Sequence, residues 1–306
     1  MYTDYDVIIV GSGVAGLAAG IYISRAGLNA VVMEKSSMGG ELMNRQLIEN
    51  YPGFAEGIQG PSLAAAMLSQ AENVGTEFMS CEVQNIKSKN GLHTVYTDNG
   101  MYTSKAVIVA SGSHPRLLNV PGEAKLRGKG VFYCATCDGP LLAGKNVVVA
   151  GAGDSGVTEA LHLANLGCKI TILEFMDRPK AASILLERIE AESNIQLICG
   201  ARITEIRGEN WVTGVVYEEC ETQIQKELEV EGILIRIGIM PNTGFLKGVV
   251  ELSEGGQVQV TEQMATSIEG IFAAGDIRTH SPAQLGTAAG DGITAAMAAA
   301  RYVQML

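Results

Sequence analysis

The 306 residues carry 33 acidic side chains against 22 lysines and arginines, a formal charge of −11, with no basic tract. A nucleic-acid partner or an anionic membrane surface is not expected, because each draws on concentrated positive charge. Hydrophobic residues at 47 % and 37 glycines suit a globular α/β chain of about two domains, with no apolar run near the ~18 residues of a membrane span.

A first strand is expected over 6–10, which leaves no room ahead of it for a signal peptide. Gly11-Ser12-Gly13-Val14-Ala15-Gly16 follows, then a helix to about Arg25 and a second strand ending at Glu34. In this strand–turn–helix–strand context a GxGxxG run is a specific sign of a dinucleotide site. Its glycines allow the tight turn, the approach of backbone to pyrophosphate and close helix packing, and the helix N-terminus favours the phosphate charge. Glu34 is placed to accept from the hydroxyls of an adenosine ribose.

Residues 39–56, opening GGELMNRQLIENYPGF, read as an ordered loop, and 62–74 as an amphipathic helix. The span 77–110 reads as a strand meander that ends in the apolar KAVIVASG, with a boundary near residue 115. The plan then repeats: a strand over 145–150, Gly151-Ala152-Gly153-Asp154-Ser155-Gly156, a helix over 157–166 and a strand ending at Glu174. Gly11 to Glu34 and Gly151 to Glu174 are both 23 residues apart, a coincidence that points to two copies of one unit. A hairpin over 201–219 carries Trp211, read as a packing residue, and a strand over 271–274 precedes a small-residue helix from about Gly286 that completes the first domain.

Of six cysteines, Cys81, Cys168, Cys199 and Cys220 stand alone, too sparse for a disulfide framework. Cys134 and Cys137 form a CATC pair followed at once by Asp138. Zinc would need a second close ligand pair, and His93, His114, His162 and His280 are scattered, so no metal site is expected and redox exchange is the better use.

The chain resembles low-molecular-weight thioredoxin reductases over essentially its full length, on GSGVAG, GGELMN…ENYPGF, CATCDG, GAGDSG and IFAAGDI…AAGDG in the family's order and spacing. The resemblance implies an α/β fold of two Rossmann-like, three-layer ββα dinucleotide-binding domains, the second inserted in the first. An FAD-binding domain would span 1–115 and 244–306, and an NAD(P)H-binding-like domain with the redox-active CxxC would span 116–243. It implies a cytoplasmic homodimer that reduces thioredoxin or a thioredoxin-like protein, with the second domain turning on hinges near 114–120 and 241–245. Gly11, Gly13, Gly16 and Glu34 would hold the FAD adenosine half, and Gly40, Asn50 and Asp276 the flavin or ribityl side, with Gln284 nearby. Cys134 would be the outward attacker, Cys137 the flavin-facing sulfur, and Asp138 the proton-transfer group.

One departure bears on the electron donor. NADPH-dependent members carry His-Arg-Arg-x-x-x-Arg after the second strand of the inserted domain, where this chain has EFMDRPK over 174–180. Ala283 also replaces the arginine common before Gln284. A 2′-phosphate requires cations, whereas Glu174 repels it and suits a free ribose diol. Gly151, Gly153, Gly156 and Glu174 would therefore hold NADH or a second FAD rather than NADPH, and a ferredoxin-fed reductase is the alternative within enzymes. A non-catalytic thiol redox sensor is the alternative outside them.

Overall fold

The computed structural model describes residues 3–45 and 47–306; Gln46, in the loop expected over 39–56, lies outside the described residues. By internal contacts the chain divides into two units, one of Met1–His114 with Met240–Leu306 and the other of Pro115–Ile239. The chain runs β1 (Tyr5–Val10), α1 (Val14–Arg25), β2 (Ala30–Glu34), α2 (Gly60–Asn73), β3 (Glu77–Ser80), β4 (Val83–Lys89), β5 (Leu92–Thr97) and β6 (Gly100–Val109) in its first pass through unit one. It leaves by β7 (Ser113–Pro115).

The second unit holds β8 (Val131–Phe132), the one-turn α3 (Ala135–Asp138), β9 (Asn146–Ala150), α4 (Asp154–Asn165), β10 (Lys169–Leu173), α5 (Ser183–Ala191) and β11 (Ile195–Ile198). A three-stranded antiparallel sheet follows, β12 (Ala201–Gly208), β13 (Val212–Glu219) and β14 (Gln225–Glu229), and then β15 (Gly232–Ile235). The chain returns along β16 (Ile239–Pro241), which pairs with β7, and ends in unit one with β17 (Ile271–Ala273) and α6 (Leu285–Met305).

Side-chain alternation explains the layers. On β1, Val7 and Ile9 point into a core with Ala15, Ala19 and Ile23 of α1 and Ala295, Ala296 and Ala299 of α6. Ile8 and Val10 point the other way, into a core with Ile86, Val95, Leu246 and Val258. A strand buried on both faces reads as an unbroken apolar run, which is what its buried part VIIV, residues 7–10, is. Unit two repeats this: Val147 and Val149 of β9 meet Val157, Ala160 and Leu163 of α4, while Val148 and Ala150 meet Ile203, Ile206 and Val215 of the antiparallel sheet. Both units are thus helix, parallel sheet and antiparallel layer, the Rossmann-like α/β class that the repeat implied.

The sheet orders are β3-β2-β1-β6-β5-β4, with β17 beside β6, and β11-β10-β9-β15-β8. Three details differ from the expectation. Strand β3 is not part of the meander but runs parallel to β2, Val31 opposite Glu77, so that only β4–β6 form the antiparallel run. Helix α4 begins at Asp154 rather than 157, which places Gly156 inside its first turn. Strand β14 gave no apolar signal because QKELE is mostly exposed. Trp211 does pack, edge-on to Phe132, but from the turn between β12 and β13. No helix among the described residues is long and apolar enough to cross a membrane.

His93 of β5 is fully buried; its Nδ1 meets Ser88 Oγ at 2.7 Å, and its Nε2 has no partner among the described residues. Burial disfavours the imidazolium and lowers its pKa to about 4. The folded pKa lies below the unfolded value, so the unfolded chain takes up the extra proton first, and stability is lost as pH falls from 6.5 toward 4. Wild type should lose roughly 2 kcal/mol between pH 7.5 and 5 from this residue, by the standard linkage relation. In thermal unfolding across that range, His93→Gln should show a visibly flatter pH dependence.

Candidate active site

The first glycine turn is shaped by contacts that only glycine allows. Gly11 has φ +101, and a Cβ on Gly16 would overlap the carbonyl oxygen of Gly11, so α1 can start this close to β1 only without a side chain there. Gly13 is the N-cap of α1, with no side-chain cap and open space where its Cβ would be. An uncapped first turn with open space beside it is an arrangement that can receive an anion. Gly40, with φ +55, packs its own Cβ position 3.2 Å from the Gly13 Cα, which brings the 3-10 turn Gly40–Asn44 onto the glycine turn.

Glu34 ends β2 beneath this turn. Its Oε2 accepts from Ser12 N–H and Ser12 Oγ, both at 2.9 Å, and its Oε1 from Ser36 N–H and Ser36 Oγ, both at 3.0 Å. Burial raises its pKa, but these four bonds outweigh burial and hold the carboxyl below its ordinary range, so it is an anion at neutral pH. The two serine hydroxyls can rotate away to admit a diol, while the two backbone bonds remain.

The second turn reproduces the first. Gly151 has φ +104, and a Cβ on Gly156 would overlap the Gly151 carbonyl oxygen. Gly153 is the uncapped start of α4, again with open space beside it. Glu174 lies one residue past β10; its Oε2 accepts from Ala152 N–H at 2.6 Å and its Oε1 from Met176 N–H at 2.9 Å. These are the equivalents of the two backbone bonds at Glu34. Among the described residues no hydroxyl fills the remaining lone pair on either oxygen, so Glu174 presents two open acceptors to a diol. Phe175 and Met176 are exposed, and the Arg202 guanidinium stacks on the Phe175 ring at 5.2 Å. The loop carrying Arg178 folds back, with the Lys180 and Ala181 amides donating to the Ala152 carbonyl.

Cys134 and Cys137 are joined as a disulfide on the single turn of α3, both partly exposed. Cys134 is the N-cap, and its Sγ accepts from the Cys137 N–H at 3.2 Å. Asp138 ends the same turn and donates its backbone N–H to the Cys134 carbonyl.

The remaining expected residues lie in unit one. Asn50 Nδ2 donates to Gln284 Oε1 at 3.2 Å, and Gln284 is the uncapped N-cap of α6. Asp276 follows β17; its neighbour Gly275 would set a Cβ 3.1 Å from the Ala15 Cβ, so this loop abuts the start of α1. Burial pushes the Asp276 carboxyl above its ordinary range. Unit one thus gathers Gly11, Gly13, Gly16, Glu34, Gly40 and Asp276 around one helix start, with Asn50 joined to Gln284 at the head of α6. Unit two holds Cys134, Cys137, Asp138, Gly151, Gly153, Gly156 and Glu174.

Sequence reading missed several supports. Asp291 of α6 is buried, accepts from Gly275 N–H, and binds Arg278 through two bonds of 2.7 and 2.8 Å, which fixes the Asp276 loop to α6. Glu159 of α4 and Arg236 beside β15 hold the backbone on either side of Cys134. The arginine inside the apolar run GILIRIG was the available signal, since a charge there needs a buried partner.

Fold and site together describe a disulfide oxidoreductase built on two dinucleotide units. Residues 5–292 match the model of the pyridine nucleotide-disulphide oxidoreductase family. The chain is 39 % identical over 306 residues to the thioredoxin reductase of Treponema pallidum (strain Nichols), covering 100 % of this chain and 99 % of that one. It is 38 % identical over 303 residues to the thioredoxin reductase of Bacillus subtilis (strain 168), covering 99 % of this chain and 96 % of that one. The crystal structure of thioredoxin reductase from Streptococcus pyogenes superposes with a TM-score of 0.92 at 35 % identity, covering 99 % of each chain. The chain therefore belongs to the pyridine nucleotide-disulphide oxidoreductases, as a flavin disulfide oxidoreductase of the thioredoxin reductase type. Proteins of that type bind FAD, and the open, uncapped start of α1 above an anionic Glu34 fits it.

Gly13→Ala should leave thermal stability within about 1 kcal/mol of wild type, the scale of an N-cap change, yet lower the flavin retained per chain by filling the open space. Gly16→Ala should cost about 3 kcal/mol or more, because the overlap is with backbone that cannot move aside. Melting curves and the flavin absorbance of the purified variants check both.

Proposed function

We propose that this chain reduces the disulfide of thioredoxin or a thioredoxin-like protein through Cys134 and Cys137, and that its electron donor is not NADPH. NADH is the nicotinamide donor that the second glycine turn suits. The observation that carries this is Glu174. Its carboxylate holds the position equivalent to Glu34, is tied by the two corresponding backbone amides, of Ala152 and Met176, and keeps an open acceptor on each oxygen. A 2′-phosphate placed there would meet a like charge at close range, which costs several-fold to many-fold in affinity. A ribose diol would instead find two acceptors.

In this reading Gly11, Gly13, Gly16 and Glu34 bind the adenosine half of FAD, and Gly40, Asn50, Asp276 and Gln284 the flavin half. When bound, FAD supplies the electron pair that opens the Cys134–Cys137 disulfide. Cys134 then acts as the attacking thiolate, favoured by the Cys137 amide that donates to its sulfur. It bonds to one sulfur of the partner disulfide, and the other partner sulfur leaves as a thiolate and takes a proton. Cys137 attacks Cys134, re-forms the chain's own disulfide and releases the second partner thiol, so that two electrons and two protons reach the partner. Asp138, on the same turn, exchanges protons with the pair. The reading includes a cytoplasmic homodimer, for which the support is the family resemblance alone.

A second reading rests on the likeness of the two turns. Because Glu174 and Glu34 accept from equivalent backbone amides, the second site suits the adenosine of another FAD as well as that of NADH. Counting flavin per chain separates the two.

Under anaerobic conditions NADH should bleach the flavin at micromolar concentration, and NADPH should be at least about tenfold weaker, or about 1.4 kcal/mol. Equal bleaching by NADPH would remove the role given to Glu174. If neither nucleotide acts and reduced ferredoxin does, the chain is ferredoxin-fed. Cys137→Ser should abolish turnover and trap a mixed disulfide between Cys134 and the partner, visible by mass spectrometry. Sustained activity in that variant would refute the assigned roles, and a wild type with a defined disulfide midpoint but no turnover would mark a sensor.

A further inference from the structure

We propose that Glu159 and Arg236 form an ion-paired clamp on the two peptide groups flanking Cys134, and that their opposed charges balance each other at its sulfur, so that losing either one alone shifts how readily the thiol ionises. Both are positioning residues, acting through the backbone and the local field. The inference rests on the reading of Cys134–Cys137 as the working dithiol.

The contacts are specific. Glu159 Oε2 accepts from the Ala135 N–H at 2.7 Å, the peptide group just after Cys134. Arg236 Nη1 donates to the Tyr133 carbonyl at 2.9 Å, the peptide group just before it. The two side chains are joined by Arg236 Nη2 to Glu159 Oε1 at 2.9 Å, with side-chain exposures of only 22 % and 14 %. One attacking residue is therefore held on both sides by a single, largely buried pair of opposite charges. Buried charges are costly unless paired and hydrogen-bonded, and here each partner spends a bond on the Cys134 backbone. Arg236 also leaves its buried Nε without a partner among the described residues, so its placement is not the one that satisfies the guanidinium best.

Both anchors belong to the second glycine turn. Glu159 projects from α4, the helix that Gly153 opens. Arg236 donates its backbone N–H to Ala150 at 2.8 Å, and its carbonyl oxygen lies 2.6 Å from where a Cβ on Gly151 would stand. The frame that forms the turn thus also holds the backbone on both sides of Cys134.

The charges facing this turn are Glu159, Arg236, His162 and Asp138; Glu123 and Arg127 lie farther out, against the Tyr133 side chain. Burial pushes the Glu159 carboxyl up, against the Ala135 amide, Arg236 and His162, which favour its ionised form. With both members present the pair is near neutral. Removing one leaves the other bare beside Cys134: Arg236 alone would favour the thiolate, and Glu159 alone would disfavour it.

The experiment is the pH dependence of iodoacetamide alkylation of Cys134 in the reduced flavin-loaded protein, followed by mass spectrometry of its peptide. Glu159→Gln keeps an acceptor for Ala135 and should lower the apparent thiol pKa, raising the alkylation rate at pH 6.5 by about three- to tenfold. Arg236→Met should shift it the other way by a similar factor, and the double variant should return to within about twofold of wild type. Arg236→Lys, which keeps the charge and serves if Arg236→Met does not fold, should also stay within about twofold. Shifts in the same direction for both single variants, or no shift in either, would overturn the proposal. A structural role alone would give no opposed signs and no recovery in the double variant. The readout needs no turnover, so its failure is distinct from a wild type that does not reduce a thioredoxin-like disulfide.

Discussion

The structure depends on how close a helix can come to a strand. At Gly16 and again at Gly156 the helix is set so near that an added Cβ would overlap the carbonyl oxygen of the residue opening the turn. α1 and α4 start there without a side-chain cap, and the close approach brings the end of the neighbouring strand within reach of the turn. Glu34 and Glu174 then fall into the same pose, each holding a turn amide and a loop amide. A dinucleotide site follows from the backbone before any side chain beyond the acid is chosen.

What the side chains add is discrimination. Ser12 and Ser36 supply hydroxyls to Glu34, whereas Ala152 and Met176 supply none to Glu174. The same backbone geometry therefore yields one carboxylate whose acceptors are filled and one whose acceptors are half open. Where the family resemblance leads one to expect a cationic run, Glu174, Phe175 and Met176 set a carboxylate beside exposed apolar side chains, with the Arg202 guanidinium on the Phe175 ring. The dithiol is coupled to this second frame, since the residues that grip Cys134 grow from the helix and strand that make the turn.

Much of this was legible in the sequence. The repeated spacing from glycine turn to acid exposed both units, and apolar runs such as VIIV over 7–10 marked strands buried on both faces. The CATC spacing marked out Cys134 and Cys137, the two cysteines that the structure joins as a disulfide. Less legible were elements whose signal lies in distant partners. Strand β3 reads as part of a meander because a strand's neighbour is not written in its own residues, and β14 was hidden by its exposed, charged composition. Asp291, Arg278, Glu159 and Arg236 lie far apart along the chain and make sense only as pairs; a lone charge in an apolar stretch hints that a partner exists without naming it.

The central claim is that a flavin and the Cys134–Cys137 pair exchange electrons within one chain, and the most direct measurement is an anaerobic dithionite titration of the purified protein. A flavin and a disulfide each take two electrons, so the account predicts uptake of four per chain with one flavin bound, or six with two, falling by two in the Cys134→Ser/Cys137→Ser variant. Uptake of two electrons per flavin in the wild type, unchanged by removal of both sulfurs, would contradict it.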